Sequence, residues 1–399
     1  MIRKIAILTA LALTACTAGA PLSLEVARSE MARNHEASYI DGLGGTLKWN
    51  YTTGLELKAM LDASRSFGKP QDDIVKPQDD IVKYVDAWYD AVIAEDGTIG
   101  GKYKKSNYSS DHICPGRTLF QLLELTGKEK YRLAMHNLYG QILEMPRTPE
   151  GGFWHKKIYP DQMWLDGLYM VEPFYAEYTS MYIPAEQQAA NFADIAHQFN
   201  LVAEKTFDPV SGLYRHAWDS SHKMFWCDPV TGQSQHAWGR ALGWYCMALV
   251  DVLPFLPDDT PGKDRMLETL RGIVKTLPAY ADPETGMWYQ VLDRPGAEGN
   301  YVESTASAMF TYAMLKGCRY GWLDCLDYAK DCYGKLLDTF VTIDKDGLVD
   351  LNQCCEVAGL GGKENRSGDY DYYIHERIRS NDPKGIGPLI WAALEYERL

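Results

Sequence analysis

The stretch AWGRALGWYCMALVDVL, residues 237–253, consists almost entirely of aromatic, aliphatic and small residues. A helix of this composition has no polar face, which predicts that it is buried on all sides. Segments 162–178 and 302–316 share this composition. Segment 185–205 differs, because its apolar residues recur at steps of three and four and leave a polar face. The sequence therefore predicts two sets of helices, one buried and one amphipathic.

A weak repeat connects these helices: an acidic turn, a glycine, and then an apolar or aromatic residue. Its glycines are 55, 60, 74 and 61 residues apart, a spacing that fits two helices plus loops. We predict an all-α fold, an (α/α)6 toroid of helical hairpins with an inner and an outer ring. An open solenoid is the alternative, but it would have a more regular repeat. The repeat glycines are Gly97, Gly152, Gly212, Gly286 and Gly347.

Composition and charge exclude one class of partner. The 399 residues carry a net charge of −14, and 12% of them are aromatic. A nucleic acid requires basic patches that neutralise phosphates, so we predict no nucleic-acid partner. Because the field of the whole protein repels anions, an acidic substrate must bind through cationic side chains within its site. The aromatic side chains suit a carbohydrate-binding cleft, although a large core also explains them.

The N-terminal stretch MIRKIAILTALALTAC resembles a bacterial export signal, with two basic residues before a short apolar run. Its end resembles a lipobox, so Cys16 is a candidate lipidation site and the only membrane contact that we predict. An ordinary cleaved signal is the alternative. We exclude residues 1–16 from the fold and predict a single catalytic domain over residues 22–399. We expect an exported protein that is periplasmic or anchored to a bacterial membrane through lipid.

No part of the sequence predicts a metal site or a cofactor. The eight further cysteines include no paired CxxC arrangement, and phosphate-loop and GxSxG motifs are absent. Export permits disulfides without requiring them, so any pairing stays open. The seven-residue spacing of Cys318, Cys325 and Cys332 predicts one helical stripe. The heptad KPQDDIV occurs twice in succession over residues 69–82, which predicts either a lengthened helix start or a larger loop.

The segment HKKIYPDQMWLDGLYMVEP, residues 155–173, places Asp166 among several aromatic side chains. Because water-poor surroundings raise the pKa of a carboxyl group, we expect Asp166 to be a proton donor at neutral pH. A buried aspartate that ties down a helix is the alternative. Trp164 and Asp166 share a side only if the backbone is extended, so we place both at the entry to a helix.

Other polar residues stand at corresponding helix entrances. Asp111 precedes one helical stretch, and His155 and His216 each follow a glycine turn. An arginine offers a planar fork for a carboxylate, and a tryptophan offers an apolar platform. An arginine paired with an aspartate across helices is the structural alternative. Three residues at four-residue steps predict one helical face with an imidazole, a guanidinium and an indole: His236, Arg240 and Trp244.

Four segments resemble glycoside hydrolase family 105, the unsaturated rhamnogalacturonyl hydrolases: 159–170, 236–257, 301–317 and 372–395. The unsaturated glucuronyl hydrolases of family 88 share this fold and chemistry. The resemblance implies a six-hairpin toroid in which Asp166 is the general acid/base. It implies that Asp111 is a second carboxylate facing the same sugar. It also implies a set of substrate-binding residues: His155, Trp164, His216, Arg240, Trp244 and Tyr51.

The reaction that the resemblance implies needs one acid. Polysaccharide lyases leave a uronic acid with a C4=C5 double bond, which is part of an enol ether. Protonation of C4 makes C5 cationic and ready for water, and the resulting hemiketal opens and releases the aglycone. We therefore expect removal of a 4,5-unsaturated uronic acid, first of all galacturonate linked to rhamnose as in the pectin rhamnogalacturonan.

Several alternatives stay open. The substrate could be another unsaturated uronide, as in the glucuronyl hydrolases. An inverting glycosidase would use Asp111 and Asp166 as base and acid on a saturated glycan. A sugar epimerase would use His155 and His216 as an acid/base pair. A lipid-anchored glycan-binding protein would use the same aromatic residues without turnover.

Overall fold

The computed structural model describes residues 20–66 and 79–399, together with the backbone of residues 69–71 and 74–76. The predicted export segment and Cys16 lie outside these ranges. The helices are α1 (Leu22–Arg33), α2 (Tyr51–Ser66), α3 (Asp79–Val92), α4 (Arg117–Thr126), α5 (Glu129–Glu144), α6 (Leu165–Tyr182), α7 (Ala185–Thr206), α8 (Gly239–Val252), α9 (Lys263–Thr276), α10 (Ser304–Arg319), α11 (Leu326–Phe340), α12 (Tyr370–Ile374) and α13 (Pro383–Glu397). Short antiparallel pairs join β1 (Lys69–Gln71) to β2 (Ile74–Lys76), β3 (Gln162–Trp164) to β4 (Ala217–Asp219), β5 (Val341–Ile343) to β6 (Val349–Leu351), and β7 (Cys354–Cys355) to β8 (Ile378–Arg379).

In this part of the chain, six helices form a closed inner ring. They follow one another in the order α2, α4, α6, α8, α10 and α13, and α13 packs against α2 to close the ring. The outer helices α1, α3, α5, α7, α9 and α11 each pack against an inner helix. The predicted (α/α)6 toroid is confirmed, and because the ring closes, the open solenoid is excluded.

Burial separates the two rings as the sequence predicts. Every residue of α8 is buried, from Gly239 to Val252, and α6 and α10 are buried along most of their lengths. The outer helix α9 buries fewer than half of its residues and exposes most of the others. Each large apolar side chain in the inner ring stabilises the folded state by about 1.5–3 kcal/mol, because folding removes it from water. Among the helices of residues 20–66 and 79–399, none is long and apolar enough to span a membrane.

The repeated glycine turns are small hairpins at the C-terminal ends of outer helices. Backbone bridges close them, for example between Phe207 and Tyr214 after α7. In this turn the Asp208 carboxylate accepts backbone hydrogen bonds from Val210 and Ser211, and the glycine at position 212 has a φ of 71°. Each hairpin returns the chain toward the next inner helix. The loops before the inner helices therefore gather at one end of the toroid.

Two predictions about local geometry are wrong. Because α8 begins at Gly239, His236 precedes the helix and does not share a face with Arg240 and Trp244; its Nδ1 lies 3.0 Å from Oδ2 of Asp293. The cysteines at positions 318, 325 and 332 belong to α10, to the turn and to α11, so they do not form one stripe.

The KPQDDIV duplication includes both a short strand pair and the start of a helix. The first copy and the start of the second contribute the strands β1 and β2, which pair antiparallel with Lys69 opposite Lys76. Helix α3 begins afterwards, at Asp79.

Candidate active site

The candidate residues meet at the N-terminal ends of inner helices. Tyr51 is the first residue of α2, Asp166 the second of α6, and Arg240 the second of α8. Asp111 lies in a short 3-10 turn, Ser110–His112, that precedes α4. A helix N-terminus carries partial positive charge. This end of an acidic protein therefore favours an anionic ligand.

Asp111 is paired with a lysine that the sequence interpretation missed. Nζ of Lys156 forms a salt bridge to its Oδ2, and Nε2 of His155 lies 3.8 Å from its Oδ1. Burial alone would raise the pKa of Asp111, but the ammonium of Lys156 outweighs burial and lowers this pKa. Burial and Lys156 together lower the pKa of His155 to about 3, so its ring is neutral. The Ser110 hydroxyl, 3.1 Å from Nδ1 of His155, holds that ring in place.

Asp166 faces a histidine instead. Its Oδ2 lies 3.3 Å from Nε2 of His216, and neither atom has a hydrogen-bond partner among the described residues. Burial alone would raise the pKa of Asp166, whose side chain is 14% exposed, but the contact with His216 outweighs burial and lowers this pKa. The expected upward shift is therefore wrong for the protein without substrate.

The indole ring of Trp164 contacts both histidines. Its centroid lies 4.4 Å from that of His155 at an angle of 8°, and 5.4 Å from that of His216 at 71°. The strand pair β3–β4 places Trp164 opposite Ala217, the neighbour of His216. Trp164 has extended backbone and Asp166 is helical, which confirms their predicted place at a helix entry. The indole thus joins the two carboxylate–histidine pairs into one site.

Arg240 and Trp244 are more deeply buried than the two carboxylates. Trp244 is 1% exposed, and its ring centroid is 6.4 Å from that of Tyr51. The guanidinium of Arg240 donates to the backbone carbonyls of Cys355 and Glu356, while its Nε has no partner among the described residues. The alternative of an Arg–Asp pair does not hold, because Arg240 is anchored by backbone oxygen atoms.

A cavity of about 550 Å³ opens beside Asp111, in the size range of small-ligand sites. Asp166 is not part of its wall, so the cavity extends the Asp111 side of the site. No group of His, Cys, Asp or Glu within the described ranges is placed to hold a metal ion. The wall includes aromatic and charged side chains: Trp49, Tyr51, Asp111, His112, Lys156 and Lys384.

Two residues of the site escaped the sequence interpretation. Lys156 directly follows His155, so its position was a signal that could have identified it. Tyr373 lies in α12, and its hydroxyl is 2.7 Å from Nδ1 of His216, across 157 residues of chain. The one sequence signal for Tyr373 was its place in segment 372–395, which resembles family 105.

The sequence model of the family described as Glycosyl Hydrolase Family 88 matches residues 22–399. The chain belongs to this family. A solved glycoside hydrolase of family 105 from C. acetobutylicum ATCC 824 is similar to this family 88 protein, with 40% identity and a TM-score of 0.86 over 95% of this chain and 100% of that one. The resemblance to families 105 and 88 is confirmed, and this family 88 protein is a glycoside hydrolase.

Two further relatives of the family 88 chain carry functional names. The unsaturated rhamnogalacturonyl hydrolase YesR of Bacillus subtilis (strain 168) is 26% identical over 282 residues, which are 68% of this chain and 73% of that protein. The unsaturated glucuronyl hydrolase of Bacillus sp. GL1 has 14% identity and a TM-score of 0.61, covering 94% of this chain and 95% of that one. At that identity the second likeness concerns the fold alone.

Proposed function

We propose that this hydrolase removes a 4,5-unsaturated uronic acid from lyase-generated oligosaccharides by hydrating the C4=C5 double bond. The observation that carries the proposal is the different pairing of the two carboxylates. Asp111 is bound to Lys156, whereas Asp166 has no lysine or arginine partner among the described residues. One available carboxyl group is enough to protonate C4. An inverting glycosidase needs a second carboxylate that can activate water.

Asp166 is the proton donor in this proposal, even though its pKa is low without substrate. A bound uronate brings a second negative charge and displaces water, and both effects raise the pKa of Asp166. The carboxyl group gives its proton to C4 and becomes a carboxylate. That carboxylate then accepts a proton from the water that attacks C5, and the hemiketal opens.

The remaining residues hold the substrate in this proposal. Lys156 and the unpartnered Nε of Arg240 supply the positive charge that a uronate needs in a protein of net charge −14. Trp164 offers an aromatic face to the sugar ring, and Tyr51 and His155 complete the wall. The first candidate substrate is unsaturated galacturonate linked to rhamnose, because YesR and the family 105 structure are relatives. Export and lipidation at Cys16 remain part of the proposal.

The test uses protein that lacks residues 1–16. Mixed with the unsaturated galacturonyl-rhamnose disaccharide, it should remove the enol-ether ultraviolet absorbance and release rhamnose in equal amount. A second arm uses an unsaturated disaccharide from a glucuronate polymer. Its unsaturated uronic acid is the same, because C4 is planar after elimination, so this arm tests which linkage and aglycone the enzyme accepts. If the absorbance stays constant in both arms, the hydration proposal fails and the two-carboxylate glycosidase becomes the leading function.

The low pKa of Asp166 predicts a pH dependence. The active form is protonated, so kcat/KM, which reports the free enzyme, should rise continuously as pH falls toward the lowered pKa of Asp166. The kcat profile reports the substrate complex, in which the pKa of Asp166 is raised. We therefore expect kcat to fall only at a higher pH than kcat/KM does. Initial rates at limiting and saturating disaccharide measure the two profiles. A kcat/KM that increases with pH would contradict Asp166 as the acid.

A further inference from the structure

Tyr373 touches the ring nitrogen of His216 that faces away from Asp166. The tyrosine is fully buried, and its hydroxyl is 2.7 Å from Nδ1 of His216. Its own backbone carbonyl accepts a hydrogen bond of 3.2 Å from Nε2 of Gln290, and its ring stacks on Trp238 at 6.1 Å. Both contacts hold the hydroxyl in place. The phenol, the imidazole and the carboxylate thus lie in a row, 2.7 Å apart at the first contact and 3.3 Å apart at the second.

The partners of its two ring nitrogens indicate which nitrogen of His216 carries a proton. With the proton on Nε2, the ring N–H faces the Asp166 carboxylate at 3.3 Å and Nδ1 accepts from the Tyr373 hydroxyl. With the proton on Nδ1, the tyrosine hydrogen has no acceptor among the described residues. In that form the Nε2 lone pair also faces the lone pairs of Oδ2. The first arrangement is the favoured one.

We infer that Tyr373 is a positioning residue that keeps the proton of His216 on Nε2, the nitrogen facing Asp166. The inference rests on the proposed function and extends it. An N–H at this place stabilises the carboxylate that forms as Asp166 gives its proton to C4. A bare Nε2 would instead accept the proton of Asp166 before the double bond receives it. Tyr373 therefore favours transfer to the substrate over transfer to the histidine.

The test is Tyr373→Phe, which removes the hydroxyl and keeps the ring. We expect kcat on the unsaturated disaccharide to fall about ten-fold or more while KM stays within about two-fold. The matched control is Tyr372→Phe. The Tyr372 hydroxyl accepts a hydrogen bond of 3.0 Å from the Gly359 N–H, and it does not belong to the row formed by Tyr373, His216 and Asp166. The control should keep the wild-type kcat.

A spectroscopic measurement separates this role from a structural one. In ¹⁵N-histidine-labelled protein, with the signal assigned through His216→Gln, we expect a single Nε2–H form in the wild type. In Tyr373→Phe we expect a mixture of the two forms. A wild-type ring protonated at Nδ1, or a Tyr373→Phe variant with wild-type kcat, would overturn the inference. If the wild type does not act on the disaccharide, the proposed function fails, and the spectrum still tests the tautomer.

A second inference rests on two cysteines far from these residues in the chain. Cys318 lies in the last turn of α10 and Cys325 directly precedes α11, and their Sγ atoms are 3.5 Å apart. Both side chains are partly exposed, and Cys325 lines a surface cavity of about 630 Å³ with Trp322 and Tyr328. Two accessible thiols at contact distance across a short turn need little movement to bond.

We propose that Cys318 and Cys325 form a disulfide when a thiol oxidant such as oxidised glutathione is present. The Cys318 thiolate attacks the glutathione disulfide and releases one glutathione, and Cys325 then attacks Sγ of Cys318 and releases the second. The two protein thiols are oxidised, and their electrons and protons reduce the oxidant to two thiols. The hydrogen bond from Cys325 lowers the pKa of Cys318 to about 7, which suits Cys318 as the first nucleophile.

The test uses the mass of the intact protein to count its free thiols. Protein lacking residues 1–16 is treated with oxidised glutathione, denatured, alkylated with N-ethylmaleimide and weighed intact. We expect two fewer labels than in reduced protein, a peptide linking Cys318 to Cys325, and full labelling after reduction. Cys318→Ser should abolish the loss of labels, while Cys246→Ser, at a buried site in α8, should retain it. Unchanged labelling, or a stable glutathione adduct on Cys318, would overturn the proposal.

Discussion

Asp166→Asn should lose nearly all turnover, about 10⁴-fold in kcat, while the protein stays folded. The carboxamide cannot give a proton to C4, and it cannot accept one from the attacking water. Because Asp166 has no lysine or arginine partner in the described part of the chain, the change leaves no buried cation unpaired. Decay of the enol-ether absorbance under single-turnover conditions measures the loss, and thermal unfolding checks the fold.

The matched control for this variant lies five residues earlier. Asp161→Asn makes the same chemical change at a turn residue with a φ of 61°, a conformation that asparagine and aspartate both tolerate. It should keep wild-type turnover, because its side chain makes no contact with the two carboxylate–histidine pairs. An Asp166→Asn variant with substantial activity would remove Asp166 from its proposed role. Equal losses in both variants would point to a disturbed loop instead.

The sequence predicts the helices of this fold well because their burial is a local property. The predominantly apolar stretch around α8 and the amphipathic segment of α7 each determine which ring they join. The glycine turns are equally local, since the Asp208 side chain caps a turn within three residues of itself. Closure of the ring then follows from packing successive hairpins side by side.

The electrostatics of the site could not be predicted in the same way. The aromatic setting of Asp166 was visible in the sequence, but the histidine that lowers its pKa lies 50 positions later and meets it only through the β3–β4 pair. Arg240 similarly finds backbone carbonyl partners 115 and 116 positions away. The closed ring determines which loops meet at the end of the toroid. A local sequence pattern does not predict this.

Asp111→Asn should lower kcat/KM by about 10²-fold and leave turnover that is easy to measure. In the proposed reaction Asp111 performs no proton transfer. It holds Lys156 in place, so its loss misplaces the cation that meets the substrate carboxylate. Lys156→Met removes that cation directly, and we expect it to raise KM more than it lowers kcat. Steady-state rates on the unsaturated disaccharide measure both variants.

The size of the Asp111 effect relative to the Asp166 effect distinguishes the two mechanisms. A two-carboxylate glycosidase needs its base as much as its acid, so both aspartate variants would then lose activity to a similar extent. In hydration by one acid, Asp111→Asn retains much more activity than Asp166→Asn, and in the double variant the two losses should multiply, because Asp111 acts through Lys156 and not through proton transfer. If Asp111→Asn were as inactive as Asp166→Asn, Asp111 would be a reacting group, and its salt bridge with Lys156 would have to open during turnover.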